Sequence, residues 1–455
     1  MPRPRPWTFI VLGLALLAPA PAAAVPGVAA EPVVPVLERA ASPLRTAEPG
    51  GDSGDLRPVG GAVGGAVVVG MGEATHGSHE FLTVKDRVFR YLVESRGFRT
   101  FALETAWSTG VLLDDYVVHG RGDPRRIMRE DFQYTYALNN TAENLALVEW
   151  MRAYNREHPE DPVRFMGDDW GYTGPELYDR VTAYVARVRP ELAPRLDELY
   201  RGLRPTVPSA EYQKAYLARP LAERREMASR TGRALKLLKS LAPREDFAEV
   251  LRHATVIDQT ATGYGFDFED PGQVAEAMRW RDGVMADNVV WWREHTGHRI
   301  LLAGHNNHIG YEPEDPKVLP RTQGAFLRDR LGSGYASIGL TFGRGAFKAT
   351  DPEETRMLTH TVGPARPGGN EHTLDRVRHG RYVLDLRTVP APARHWLGTA
   401  RPTRSVGTAY PEERNEFDIA LGRCFDLLIH LKRVRAADLL PTARAPVMAG
   451  TAAGR

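Results

Sequence analysis

The stretch VVVGMGEATHGSHEF, residues 67–81, opens as an unbroken apolar run, breaks at glycine and ends in Glu73, His76 and His79. A short run without polar alternation suits a strand covered on both faces, the kind a parallel sheet holds at its centre. RILLAGHNNHI, residues 299–309, repeats the plan: an apolar strand, a glycine, then His305 and His308. In an open α/β sheet, ligands bind outside the carboxyl ends of the strands. Two such ends, far apart in the chain and both crowded with ionisable side chains, point to one active site assembled from distant segments. The chain reads as an enzyme.

Working outward, FRTFALET (98–105) is a second buried strand ending at Glu104, and PVRFMGDDW (162–170) is a third, ending in Asp168 and Asp169. Helical spacing lies between them, with Phe81, Val84, Val88, Tyr91 and Leu92 on one face of the first helix. ENLALVEWMRAYNREH (143–158) and ELYDRVTAYVARV (176–188) read the same way. This alternation predicts an α/β fold with a largely parallel or mixed central sheet and helices on both faces.

From about 190 to 265 the strand signals stop. Helical periodicity with dense Arg/Glu pairs, as in LAERREMASRTGRALKLLKSL (221–241), predicts a helical insertion whose charges are solvated faces. The helix MRWRDGVMADNVVWWREH (278–295) leads into the second motif, and YASIGLTFGRG, RYVLDLR and FDLLIHLKRV supply later strands. The polar, Pro/Gly-rich residues 349–373 are expected to form a mobile flap near the site. Residues 31–65 read as a short helix followed by a Gly-rich linker, which puts the catalytic domain at 66–440 and a disordered tail at 441–455.

With 455 residues, 42% hydrophobic and 25% charged, the chain can bury a large core, and its net charge of +2 offers no field to nucleic acid or acidic membranes. The first thirty residues look like a secretory signal: Arg3 and Arg5, an apolar stretch over 10–17, then small-residue cleavage options at Ala22-Ala23-Ala24 or Val28-Ala29-Ala30. The expectation is a secreted, extracellular protein with no stable membrane association after cleavage. A single cysteine, Cys424 in an apolar strand-like run, cannot form an intramolecular disulfide and reads as a small buried hydrophobe.

Glu73 and His76 sit three residues apart on the turn after a strand. A carboxylate there can orient the ring and stabilise the imidazolium of a general base. Glu104, at the end of a buried strand, could orient a histidine, polarise water or carry a proton. His305 and His308 can approach one site from their turn. Lys85 and Arg87 follow on the next helix, where a cation could stabilise an oxyanion or hold a substrate carbonyl. Asp168, with Asp169, repeats the strand-end logic, and Arg281 and Asn288 support the site from the helix before the second motif. Lys85, Arg87, Arg281 and Asp168 are therefore the expected substrate-binding residues. No G-x-S-x-G elbow, Walker A loop, dinucleotide G-x-G-x-x-G or H-E-x-x-H occurs in the required context. Direct activation of water by histidine and glutamate is the simple hydrolytic scheme that remains.

At these residues the chain resembles the erythromycin esterase family, through GEATHGSHEF at 72–81, FALE at 101–104, RDGVMADNVVWW at 281–292, GHNNHI at 304–309 and FDLLIHLKRV at 425–434. The resemblance spans about 67–440. It implies a serine-independent esterase without a resident cofactor, acting on a small-molecule ester or lactone. His76 would activate a water, Glu73, Glu104 and His305 would complete the site, and His308 matches the second histidine of that turn. A macrolide substrate would make the reaction antibiotic inactivation. The family often carries arginine nine residues after the motif histidine. Here that position is Lys85, which keeps the charge and loses the planar fork. Two other readings use the same residues. Glu73, His76, Glu104 and His305 could hold zinc or another divalent ion whose bound water attacks, or the chain could be an exported metal- or haem-binding protein without turnover.

Overall fold

The computed structural model describes residues 33–352, 356–411 and 415–442. The expected signal lies outside them, as does the expected tail from residue 443 onward.

Among the described residues, eleven strands form: β1 Ser42–Pro43, β2 Val68–Met71, β3 Phe98–Ala106, β4 Arg164–Asp169, β5 Arg299–Ala303, β6 Tyr335–Thr350, β7 Met357–Val362, β8 Arg381–Asp385, β9 Arg401–Arg404, β10 Glu416–Ile419 and β11 Leu427–Val434. Strands β9 and β10 pair with each other, and the other nine make one sheet in the order β1-β8-β11-β6-β2-β5-β3-β4, with β7 on β6. From β11 across to β4 every pairing is parallel. Strands β1, β7 and β8 add antiparallel edges. The sheet is thus mixed, with a parallel centre.

Alternation along the strands divides the core in two. Val68, Ile300 and Leu302 face one side, where Val284, Val289 and Leu327 from the helices Pro271–Thr296 and Gln323–Leu331 cover them. Val69, Met71, Leu301 and Ala303 face the other, under Phe81, Val84 and Val88 of His79–Arg96 and Leu145 and Val148 of Ala142–Glu157. Each such side chain, fully buried, is worth about 1.5–3 kcal/mol. Helices therefore lie on both faces.

The stretch between β4 and β5 is helical, as expected. Ala193–Tyr200, Ser209–Leu217, Leu221–Lys239 and Phe247–Tyr264 send Leu196, Tyr216, Leu235 and Ile257 into the first core. Its Arg/Glu pairs, such as Arg219 with Glu223, stay exposed, where such pairs contribute about 0–1 kcal/mol.

Three expectations are corrected. The Gly-rich segment before β2 is a helix, Arg57–Val63, with Val59 and Val63 buried. Gly60 is there because a side-chain carbon in its place would lie 2.4 Å from the Tyr91 hydroxyl, so close packing explains what composition suggested was a linker. The expected flap is largely structured: β7 pairs with the end of β6 as an antiparallel hairpin, and Asn370–Leu374 is a helical turn. Cys424 is buried, but in the helical turn Leu421–Cys424 just before β11 rather than in a strand.

The site motif is anchored by the hairpin strand. Gly77 C=O accepts the Lys348 N–H at 2.9 Å in an antiparallel bridge, and a side-chain carbon on Gly77 would meet the Lys348 carbonyl oxygen at 2.1 Å. Backbone cannot yield as a flexible side chain can. Gly77→Ala is expected to destabilise the protein by about 1–3 kcal/mol, the usual cost of overpacking, and to displace the neighbouring His76. A denaturant midpoint equal to that of the unmutated protein would show that the contact relaxes freely.

Strands β2, β5, β3 and β4 are consecutive neighbours. The chain leaves β2 towards β3 on one side, and leaves β5 towards β6 on the other. The border of β2 and β5 is therefore a topological switch point, where a crevice opens at the carboxyl ends.

Candidate active site

His76 stands on the turn that follows β2. Its Nδ1 lies 2.7 Å from Glu73 Oε1, and Lys85 Nζ donates to Glu73 Oε2 at 2.5 Å. Burial alone would raise the Glu73 pKa, but Lys85 and His76 outweigh it and hold the carboxyl below its ordinary value. An ionised Glu73 accepts a proton-bearing Nδ1, which turns the His76 Nε2 lone pair outward. The ring faces His305, with centroids 5.0 Å apart.

A second charge network forms the opposite wall. Glu104 accepts Arg281 Nη2 at 3.0 Å and the His305 backbone N–H at 2.9 Å. Arg281 also donates to Asp169 Oδ2, from Nη2 at 2.6 Å and Nε at 3.0 Å. Burial opposes ionisation of Glu104, yet His308, Arg281 and His76 together hold its carboxyl far below the usual carboxylate range. It is a fixed anion and not the proton carrier that its strand-end position allowed.

His308 spans the Asp282 carboxylate, at 2.9 and 3.0 Å from Nδ1, and Glu104 Oε1, at 3.4 Å from Nε2. Burial works against its charge, as does Arg281 Nη1 at 3.1 Å, but Asp282 and Glu104 prevail and raise it to about 9. A histidine whose folded pKa exceeds its unfolded value of about 6.5 contributes stability that is complete below that value and lost as pH rises through the folded pKa. The thermal midpoint is accordingly expected to fall from pH 7 to 10, and His308→Gln should flatten that slope by removing a contribution on the order of a few kcal/mol. Parallel pH-melting curves for the two proteins would argue against the ion pair.

His305 is the contrasting case. Burial first, and then the facing His76, lower it to about 3 despite the glutamates. Its Nδ1 caps the turn Asn306–Ile309 by accepting the Asn307 N–H at 3.3 Å, which leaves the proton on Nε2. That Nε2 is buried and has no hydrogen-bond partner among the described residues. It is a neutral donor held ready beside His76.

These groups line a cavity of about 270 Å³ with His76, Glu104, Arg281, His305, His308 and Glu314 on its walls. A more apolar cavity of about 670 Å³ adjoins it, sharing Tyr136, Arg281 and Thr408 and adding Trp170, Tyr264, Phe268, Met278 and Met357. Of the predicted residues, the structure thus brings together Glu73, His76, Glu104, Arg281, His305 and His308.

Three predicted substrate contacts go elsewhere. Lys85 is 3% exposed and stands behind Glu73, reaching Gly304 O at 3.4 Å; it holds the carboxylate and does not face substrate. Arg87 grips Asp55 and the carbonyls of Thr46 and Asp52, clamping the N-terminal segment to the helix. Asp168 accepts Gln323 Nε2 at 2.7 Å, and burial with the adjacent Asp169 charge pushes its carboxyl well up. Successive strand residues point opposite ways, so Asp169, not Asp168, meets Arg281. Asn288 does support this end of the sheet, donating to Asp168 O at 2.7 Å. His79 turns away to Glu143, Glu48 and Arg435.

Tyr136 and Glu314 escaped the sequence reading. Tyr136 comes from the short 3-10 helix Tyr134–Asn139 and Glu314 from a loop, neither with a readable periodicity. For Asp282 the signal was its place beside Arg281 in the helix Pro271–Thr296. For the metal reading, the group of described residues whose ligand atoms converge within 4.8 Å is His79, Glu143 and Asp438. Glu73, His76, Glu104 and His305 do not converge so; their acids are committed to Lys85 and Arg281.

The sequence matches the erythromycin esterase family over residues 93–434. That match begins after the Glu73–His76 turn. Erythromycin esterase type II of Escherichia coli is 24% identical over 332 residues, covering 68% of this chain and 77% of that protein. A crystal structure of a succinoglycan biosynthesis protein is similar with a TM-score of 0.80 and 28% identity, covering 90% of this chain and 98% of the other. An erythromycin esterase mutant in its open conformation shares the fold, with a TM-score of 0.67 at 18% identity over 86% of this chain and 96% of that one. No helix among the described residues is long and apolar enough to cross a membrane.

Proposed function

The chain belongs to the erythromycin esterase family, and from that premise we propose that it hydrolyses a carboxylic ester or lactone by a water that His76 activates. The observation that carries this reading is the Glu73–His76 contact of 2.7 Å beside an unpartnered His305 Nε2. Glu73 holds His76 with Nδ1 protonated, so Nε2 accepts the proton of a water as its oxygen attacks the carbonyl carbon. His305 donates from Nε2 to the carbonyl oxygen as negative charge develops there, in a partly dehydrated cavity where such a bond counts most. Lys85 keeps Glu73 ionised. Arg281, Glu104, Asp169 and His308 hold the opposite wall rigid.

The adjoining apolar cavity supports a bulky substrate body, and a macrolide lactone is the member of that class which the family resemblance favours. Ring opening would then inactivate an antibiotic. The test is turnover of macrolides, simple alkyl esters and nitrophenyl esters by chelator-treated protein, read by mass spectrometry as the gain of one water. Hydrolysis that survives chelation supports His76 as the activating group. Loss on chelation, restored by zinc, would move the chemistry to a metal and overturn the proposal.

A further inference from the structure

After attack, the bond between the acyl carbon and the alcohol oxygen must break, and an alkoxide leaves poorly without a proton. None of the groups already described can give one readily. His308 is committed to the opposite wall, with Nδ1 on Asp282 at 2.9 Å and Nε2 between Arg281 Nη1 at 3.1 Å and Glu104 Oε1 at 3.4 Å. Glu104 is a fixed anion, Arg281 does not release its proton, and neutral His305 is a hydrogen-bond donor rather than an acid. Burial and the nearby Asp169 charge raise the Tyr136 phenol well above its ordinary range.

Glu314 is different. It lies on the loop that follows the second histidine motif and lines the same cavity as His76 and His305. Its backbone N–H donates to Asn307 Oδ1 at 2.9 Å, which ties the loop to the histidine turn. Ser405 Oγ donates to Glu314 Oε2 at 2.7 Å, leaving Oε1 to bear the proton. Unlike Glu73 and Glu104, which pair with Lys85 and Arg281, it makes no ion pair among the described residues. His308 and Ser405 are the polar groups that act on it from neighbouring elements, and the buried Cys424 thiol stands near. From this placement we propose that Glu314 is the general acid that protonates the leaving alcohol oxygen, a role that rests on the ester hydrolysis proposed above.

The step balances. Water adds to the acyl carbon and its proton goes to His76. The acyl–oxygen bond breaks with its electron pair going to the alcohol oxygen, which takes the Glu314 proton. The products are an acid and an alcohol, and exchange with solvent returns the proton from His76 to Glu314. Burial pushes the Glu314 carboxyl up to about 7, against Ser405 and His308, which lower it. An acid must be protonated to act, so turnover of alkyl esters should fall as pH rises through that value.

The experiment compares Glu314→Gln with the unmutated protein on an alkyl ester and a nitrophenyl ester of the same acid. Nitrophenolate leaves without protonation. The expected result is a fall in kcat of about 10²–10³-fold on the alkyl ester, a fall of less than about tenfold on the nitrophenyl ester, and loss of the alkaline limb. Equal losses on both esters, or no loss on either, would overturn the assignment. If Glu314→Gln does not fold, Ser405→Ala serves: removing a bond that favours the carboxylate should move the alkaline limb to higher pH, and an unmoved limb would overturn the assignment. If the unmutated protein hydrolyses neither ester, the esterase reading itself fails, and the role of Glu314 falls with it.

Discussion

His76→Ala is expected to lower kcat/KM for the ester or lactone by about 10²–10⁴-fold, the usual worth of a positioned general base, while the folded state survives. The two effects separate because of how Glu73 is held. Its Oε1 loses the imidazole, but Oε2 keeps Lys85 at 2.5 Å, so no buried charge is orphaned. His76 itself is 18% exposed and contributes little to the core. Activity and thermal melting on the same preparation check the point. A loss of less than tenfold would mean that another group takes the proton from water, and a large drop in melting temperature would mean that the mutation reports on folding.

Arg281→Ala is expected to do the reverse: to cost stability first, by about 3–5 kcal/mol, with activity lost as a consequence. Arg281 bridges Glu104 and Asp169, whose side chains are 12% and 1% exposed. Removing one partner of a buried pair leaves the other charge uncompensated, and that residual charge is what makes such deletions expensive. Here two carboxylates would be left, and His308 reaches only one of them. Arg281→Lys should recover part of the stability, because an ammonium restores the charge but cannot span both acids as the guanidinium fork does. Urea unfolding of the three proteins decides it. A cost below about 1 kcal/mol for the alanine variant would show that the carboxylates take up protons or water at little penalty.

Lys85 and Arg87 illustrate where sequence reading stops. They lie on one turn of the same helix, and both were expected to meet substrate. Lys85 turns inward behind Glu73, whereas Arg87 is captured by Asp55 and two carbonyls of a segment that precedes β2. Nothing in the local pattern around Arg87 announces that partner, because the segment arrives only after the chain has folded. Glu314 carries the same lesson. In the chain it is one acid among several in a polar, proline-containing loop. Its distinct chemistry comes from burial beside Ser405, itself far along the chain.

What the sequence by itself determined is the frame and its axis. Apolar runs without alternation mark buried parallel strands, and glycines mark where two of them break. Glu73, His76, His305 and His308 fall just past those breaks and Glu104 lies near the carboxyl end of β3, so the parallel pairing of β2, β5 and β3 carries all five to one end of the sheet. These are properties of neighbouring residues, and hydrophobic burial acts on them wherever the chain goes. What only the tertiary structure decided is the charge state of each group. Whether a histidine is held near 9, like His308, or near 3, like His305, depends on which carboxylates and cations meet it after folding. Coulomb interactions act across space and strengthen as water is excluded, so the same residue type takes opposite protonation states three positions apart.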